Sequence, residues 1–173
     1  MANTFELIAS TTVTGANAAS LDFTSIPSTY TDLVLKVSVR NEAATTVGGL
    51  WIQFNGSSAN LSSKVIYGTG SAAGSFSDTT IFAYTNANNT TGSSFGSAEY
   101  YIPNYAGSAN KSVSVDSVME TNASAANMAL TAGLWSSTAA ITSIKLLTFN
   151  NSNSTVVNFL QYSSAYLYGV KNA

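Results

Sequence analysis

Residues Thr31–Arg40 read TDLVLKVSVR. Leu33, Leu35, Val37 and Val39 recur at every second position, with Asp32, Lys36, Ser38 and Arg40 on the alternate ones and Val34 as the exception. A period of two sends successive side chains to opposite faces of an extended chain. The stretch therefore predicts a half-buried β-strand with one face toward water.

The same rhythm recurs outward from this segment. Leu50–Asn55 (LWIQFN) places Leu50, Ile52 and Phe54 on one face, and Asn55-Gly56 follows as a dipeptide favoured in tight turns. Lys111–Glu120 (KSVSVDSVME) sets Val113 and Val115 against Ser112, Ser114 and Asp116; Val118 breaks the alternation, and a bulge is expected there. Met128–Trp135 alternates Met128, Leu130, Ala132 and Leu134. Ile141–Phe149 has Ile144 and Leu146 on one face and Ile141, Leu147 and Phe149 on the other, the pattern of a strand covered on both sides. Shorter candidates are Phe5–Ala9, Ser20–Phe23, Lys64–Tyr67, Thr80–Tyr84 and Ala98–Ile102, and the tail carries Tyr162, Tyr166 and Tyr168.

Stretches such as SAAGSFSD and TNANNTTGSSFGS read as loops between these segments. Only Ala123–Ala132 has a helical composition, and Ser124, Thr131 and Gly133 weigh against a helix there. The pattern predicts an all-β fold, an antiparallel two-sheet sandwich of jelly-roll type with eight to ten strands. With 173 residues it forms one domain over residues 1–173.

Composition narrows the function. Charged residues make up 8% of the chain, against about 25% in ordinary soluble domains. Their place is taken by 27 Ser, 21 Thr and 17 Asn. A net charge of -2 gives weak repulsion between copies, and the mean hydropathy is positive, +0.16. Together these predict that part of the surface is covered in an assembly. No stretch approaches the ~18 consecutive apolar residues of a membrane span. MANTFELIAS lacks a basic segment followed by an apolar one, so cytoplasmic synthesis is expected.

Chemistry is scarce. The chain has no His and no Cys, which removes the commonest general base, thiolate nucleophiles and the usual zinc and iron–sulfur ligands. Asp116 and Glu120 lie four apart on one predicted strand. Their separation of about 13 Å is too long for a retaining glycosidase pair. Asp78 and the Asn86–Asn89 loop hold oxygen donors, but without a calcium-loop pattern they read as turn residues. The six cations, Lys36, Arg40, Lys64, Lys111, Lys145 and Lys171, are scattered, and no nucleic-acid footprint forms. No cofactor and no metal is expected. The candidate glycan or interface contacts are Tyr100, Tyr101 and Tyr105, beside Pro103 and Asn104, with Trp51 and Trp135 as further aromatics.

One ordering of segments has a known counterpart. Phe23–Leu35 (FTSIPSTYTDLVL) is followed by Phe54-Asn55-Gly56, by Tyr67–Ser71 (YGTGS) and by Tyr166–Ala173 (YLYGVKNA), after an opening ELIAST at Glu6–Thr11. This resembles the short jelly-roll-like surface proteins of tailed-bacteriophage virions: head decoration proteins, head fibres and tail-fibre modules. The matching segments mark strand starts and turns, and they carry no catalytic residue. The resemblance implies a virion protein made in the host cytoplasm. Its expected role is a capsid decoration or cement protein, a homotrimer that binds the major capsid protein or other virion proteins, with no nucleic acid and no membrane. The alternative it implies is a receptor- or glycan-binding module of a head or tail fibre. Residues 75–96 have no counterpart in it.

Overall fold

The computed structural model describes residues 4–122 and 126–171. Thirteen strands follow one another: β1 (Phe5–Thr12), β2 (Leu21–Phe23), β3 (Asp32–Val39), β4 (Val47–Phe54), β5 (Leu61–Gly68), β6 (Ala73–Asp78), β7 (Phe82–Asn86), β8 (Gly96–Pro103), β9 (Lys111–Glu120), β10 (Ala126–Trp135), β11 (Ile144–Asn150), β12 (Val156–Val157) and β13 (Ser164–Val170). Eight form one sheet in the order β1-β13-β3-β8-β9-β10-β5-β6. Four more form β12-β11-β4-β7, with β2 also paired to β11. Every strand pairing is antiparallel. The expected two-sheet sandwich is therefore the fold.

Period-two patterning accounts for most of it. Leu33, Leu35, Val37 and Val39 of β3 point into the sandwich and meet Leu50, Ile52 and Phe54 of β4 in one continuous core. Each such buried aliphatic or aromatic side chain contributes about 1.5–3 kcal/mol. Val34, the exception in the sequence pattern, lies on the outer face between Tyr168 and Tyr101 of the neighbouring strands and is still buried. A second cluster, with Val65, Phe82, Tyr84, Met119 and Phe149, fills one end. There Trp51 stacks on Phe149 with ring centroids 4.2 Å apart. Gly49 makes this stack possible: a Cβ on it would stand 1.9 Å from the Phe149 ring.

Three expectations need correction. SAAGSFSD is not simply a loop, because Ala73–Asp78 is an edge strand paired to β5. It lacks an inward apolar row, which is why its sequence resembles a loop. Val118 causes no bulge: the β9–β10 register runs unbroken from Ala126↔Glu120 to Trp135↔Lys111. Ser117, rather than Val118, takes the inward position, where its Oγ accepts the Tyr84 backbone N–H at 3.2 Å. Residues 126–132 are extended, in line with Thr131 and Gly133 weighing against a helix, while 123–125 lie outside the described residues. The strand number exceeds the expected eight to ten in part because β6 and the two-residue β12 carry little periodic signal.

Polar side chains tie the sheets together at one end. Asn41 Nδ2 donates to Thr148 Oγ1 at 2.7 Å and to the Phe149 carbonyl at 3.0 Å, and Thr148 Oγ1 donates to the Gly49 carbonyl at 2.9 Å. Arg40 is buried, and its guanidinium donates to the carbonyls of Asn88 (2.9 Å), Thr90 (3.2 Å) and Thr91 (3.2 Å). The turn at Asn55-Gly56 has positive φ at both residues, 53° and 72°, as the sequence implies. Asn55 Oδ1 accepts the Thr142 and Ser143 N–H groups at 2.8 and 3.1 Å, which anchors the entry to β11.

Replacing Arg40 by Leu leaves three loop carbonyls without their donor. Denaturant unfolding should then show a loss of about 2–4 kcal/mol, and Arg40→Lys a smaller one. Glu42 supplies a pH test. Its carboxylate accepts the Asn158 N–H (3.1 Å), the Asn158 Nδ2 (2.8 Å) and the Asn17 Nδ2 (2.8 Å), and these bonds hold its pKa below the ordinary 4.5. A depressed carboxylate pKa stabilises the fold above the ordinary value, and the gain is lost as pH falls through the folded-state value. Stability measured between pH 6 and 3 should therefore fall less steeply in Glu42→Gln than in the wild type.

Candidate functional site

An exposed apolar patch lies on the outer face of the large sheet, and β10 creates it. The inward residues of β10 are Asn127, Ala129, Thr131, Gly133 and Trp135, all buried. Trp135 packs on Phe54 with ring centroids 5.4 Å apart, and the Lys111 ammonium lies 5.9 Å from its ring centre. Gly133 faces Ile81 so closely that a Cβ would stand 2.9 Å from it. A slip of one residue would expose the tryptophan and push a side chain into Ile81. With the register fixed this way, Met128, Leu130, Ala132 and Leu134 must face outward.

The neighbouring strands add to this row. Across from Met128 lie Val118 on β9 and Gly68 on β5; across from Leu130 lie Asp116 and Ile66. Four large apolar side chains thus meet on the surface: Ile66 is 59% exposed, Met128 58%, Leu130 55% and Val118 47%. They line an open groove of about 820 Å³, deepened by the absent side chains at Gly68 and Gly74. A second groove of about 520 Å³ continues past Leu130 and Ile66 toward Lys64, Tyr101 and Pro103. Single exposed hydrophobics are normal on a protein, whereas a contiguous group in a groove marks an interaction surface.

Two charges border this patch. Lys64 precedes Ile66 by two positions on β5, and Asp116 lies beside Leu130 on β9. Lys64 Nζ donates to Ser77 Oγ at 2.5 Å. Among the described residues the ion pairs are Lys36–Glu99 (2.9 Å), Lys145–Asp22 (3.2 Å) and Lys171–Glu6 (3.4 Å), so neither Lys64 nor Asp116 belongs to one. Asp116 instead faces Glu99 across the β8–β9 pair, a like-charge neighbour.

The structure separates the three candidate tyrosines. Tyr100 and Tyr105 are fully buried and offer no ring to a ligand, a correction to their expected role. Alternation along β8 sends Tyr100 inward; its hydroxyl has no hydrogen-bond partner, and burial pushes its ionisation far above the usual tyrosine range. Tyr105 donates its hydroxyl to the Pro27 carbonyl. Tyr101 alone is on the surface, 40% exposed at the smaller groove, with its hydroxyl donating to Asp32 Oδ2 at 2.9 Å. Trp135 belongs to the core, and Trp51 is occupied by its stack on Phe149.

Among the described residues no group of three or more acidic side chains comes together as a metal site. Asp78 Oδ1 accepts the Thr80 N–H at 2.8 Å and the Thr80 hydroxyl at 2.9 Å, as a turn residue does. Lys111, buried at the mouth of the core, donates to the Gly107 and Ala109 carbonyls, both at 2.6 Å, and desolvation lowers its pKa. No helix among the described residues is long and apolar enough to cross a membrane. Comparison with known protein families, curated proteins and solved structures finds no match for the chain.

The apolar patch escapes a reading that counts hydrophobic residues as inward. A signal for it was nonetheless present: in MALTAGLW the bulky row and the Gly133/Trp135 row compete, and Val118 stands out of step with Val113 and Val115. Because the patch contributes no core packing, Ile66→Ser and Leu130→Ser should each change unfolding free energy by less than about 0.5 kcal/mol. Leu35→Ala, in the core, should cost about 2–5 kcal/mol in the same denaturant titration.

Proposed function

We propose that this chain is a virion structural protein, a capsid decoration or cement protein that docks on an assembled shell as an oligomer and stabilises it. The observation that carries the assembly part is the outward patch of Ile66, Leu130, Met128 and Val118. Water contact with four large apolar side chains is unfavourable by about 25 cal/mol per Å² of apolar area, and docking removes it. The virion part rests on the resemblance of Phe23–Leu35, Phe54–Gly56 and Tyr166–Ala173 to phage surface proteins.

The mechanism is thermodynamic. A protein that binds the assembled shell and not its separate subunits stabilises the shell by mass action, about 2.7 kcal/mol per site at a hundredfold excess over Kd. It needs no nucleophile, base, metal or cofactor, which suits a chain without His or Cys. Its partners are sister copies and the major capsid protein. Scattered cations and a net charge of -2 support no nucleic-acid partner. A protein in this role is made in the host cytoplasm and resides on the particle.

The alternative, a glycan-binding module, keeps one ring. Tyr101 borders the smaller groove with Lys64 and Pro103, while Tyr100 and Tyr105 are withdrawn into the core. Sugar sites usually combine several aromatic and polar contacts, so this reading stands second.

Cosedimentation with assembled heads and with unassembled capsid protein tests the proposal. The chain should pellet with assembled heads alone and raise the temperature at which they burst. Equal burst temperatures with and without the chain would contradict it.

A further inference from the structure

We infer that the outer face of β5, β10 and β9 is a self-pairing surface, on which a second copy of this chain docks about a two-fold axis. The inference rests on the assembly reading above and deepens it by naming the occupant.

The argument is charge complementarity around the apolar patch. Leu130 and Ile66 are directly paired neighbours, with Asp116 beyond Leu130 on one side and Lys64 one row away on the other. At ~4.8 Å between strands and ~3.3 Å per residue, Lys64 and Asp116 stand about 12 Å apart with Leu130 between them. Neither belongs to an ion pair among the described residues. A two-fold axis between two such faces, crossing β10 near Thr131, lays Lys64 of each copy over Asp116 of the other. The same rotation exchanges the positions of Leu130 and Ile66, so each apolar side chain meets its counterpart. Both ion pairs and both apolar contacts form at once, as a self-complementary two-fold interface requires. From the same spacings, the strands of the two copies cross at roughly 70°, toward the orthogonal class of sheet packing.

The repulsion that would oppose this pairing is small. The chain carries a net charge of -2, and Asp116, which belongs to no ion pair among the described residues, gains a cation in the dimer. Area sets the strength. Three strands about nine residues long present roughly 400 Å² in projection, below the ~800 Å² per partner of a standard interface. The dimer should therefore have a dissociation constant on the order of micromolar, rather than the permanence of an obligate pair.

Sedimentation velocity of the full chain from about 1 to 300 µM is the test. The expected result is a reversible monomer–dimer equilibrium. Lys64→Asp and Asp116→Lys should each weaken it at least tenfold, because each places two like-charge pairs in the interface. The double variant Lys64→Asp/Asp116→Lys should restore it to within about threefold, and a restored dimer also shows that the fold is intact. Leu130→Ser should weaken dimerisation while leaving the unfolding curve in place. A chain that stays monomeric throughout overturns the inference. So does a dimer indifferent to these charge changes, or a trimer. In each of those cases the shell-binding proposal stands or falls on its own cosedimentation result.

Discussion

The register of β10 is the constraint on which the rest depends. Trp135 needs the pocket against Phe54, and Ile81 needs the empty space at Gly133. Both lie on the same side of the strand, and together they fix which side faces in. Leu130 and Met128 are then carried outward along with Ala132 and Leu134. A strand with two greasy options has used its small and aromatic residues for the core and left its aliphatic row for the surface. That choice joins the packing of the sandwich to the exposure of the apolar patch, since the residues that stabilise the fold force the others into water.

The hydroxyl- and amide-rich composition has two structural uses. At the turns it satisfies local backbone groups, as Asn55 and Asp78 do. At one end of the sandwich it forms buried links between sheets, where Asn41 and Thr148 bridge strands. Uncharged groups suit this position because burying them with their hydrogen bonds made costs far less than burying charge. The same composition leaves the outer sheet face with few charges to keep copies apart.

Much of the fold was legible in the sequence. Thr31–Arg40 and Lys111–Glu120 correspond to β3 and β9 almost residue for residue, because their alternation holds at all but one position each and β-branched valines supply much of the apolar row. β6 was not legible, because a strand at the edge of a sheet with serines on alternate positions looks like a loop; its pairing with β5 is a tertiary effect. The candidate site was legible only as a composition. Period two identifies two faces without saying which is inside, and Met128–Trp135 shows how this misleads when both rows have a claim to the core. Tyr100 and Tyr105 failed as surface candidates for a related reason, since adjacency in sequence places Tyr100 and Tyr101 on opposite faces of β8.

The central claim is that the outward aliphatic row of β10 is covered when the protein is at work, and its methionines report on this directly. Met128 is 58% exposed on the patch, whereas Met119 is 3% exposed in the core. Hydroxyl-radical footprinting at rising protein concentration, and on any assembled particle, should show Met128 oxidation falling severalfold while Met119 stays uniformly slow. Met128 oxidised at the same rate in every state would contradict the account.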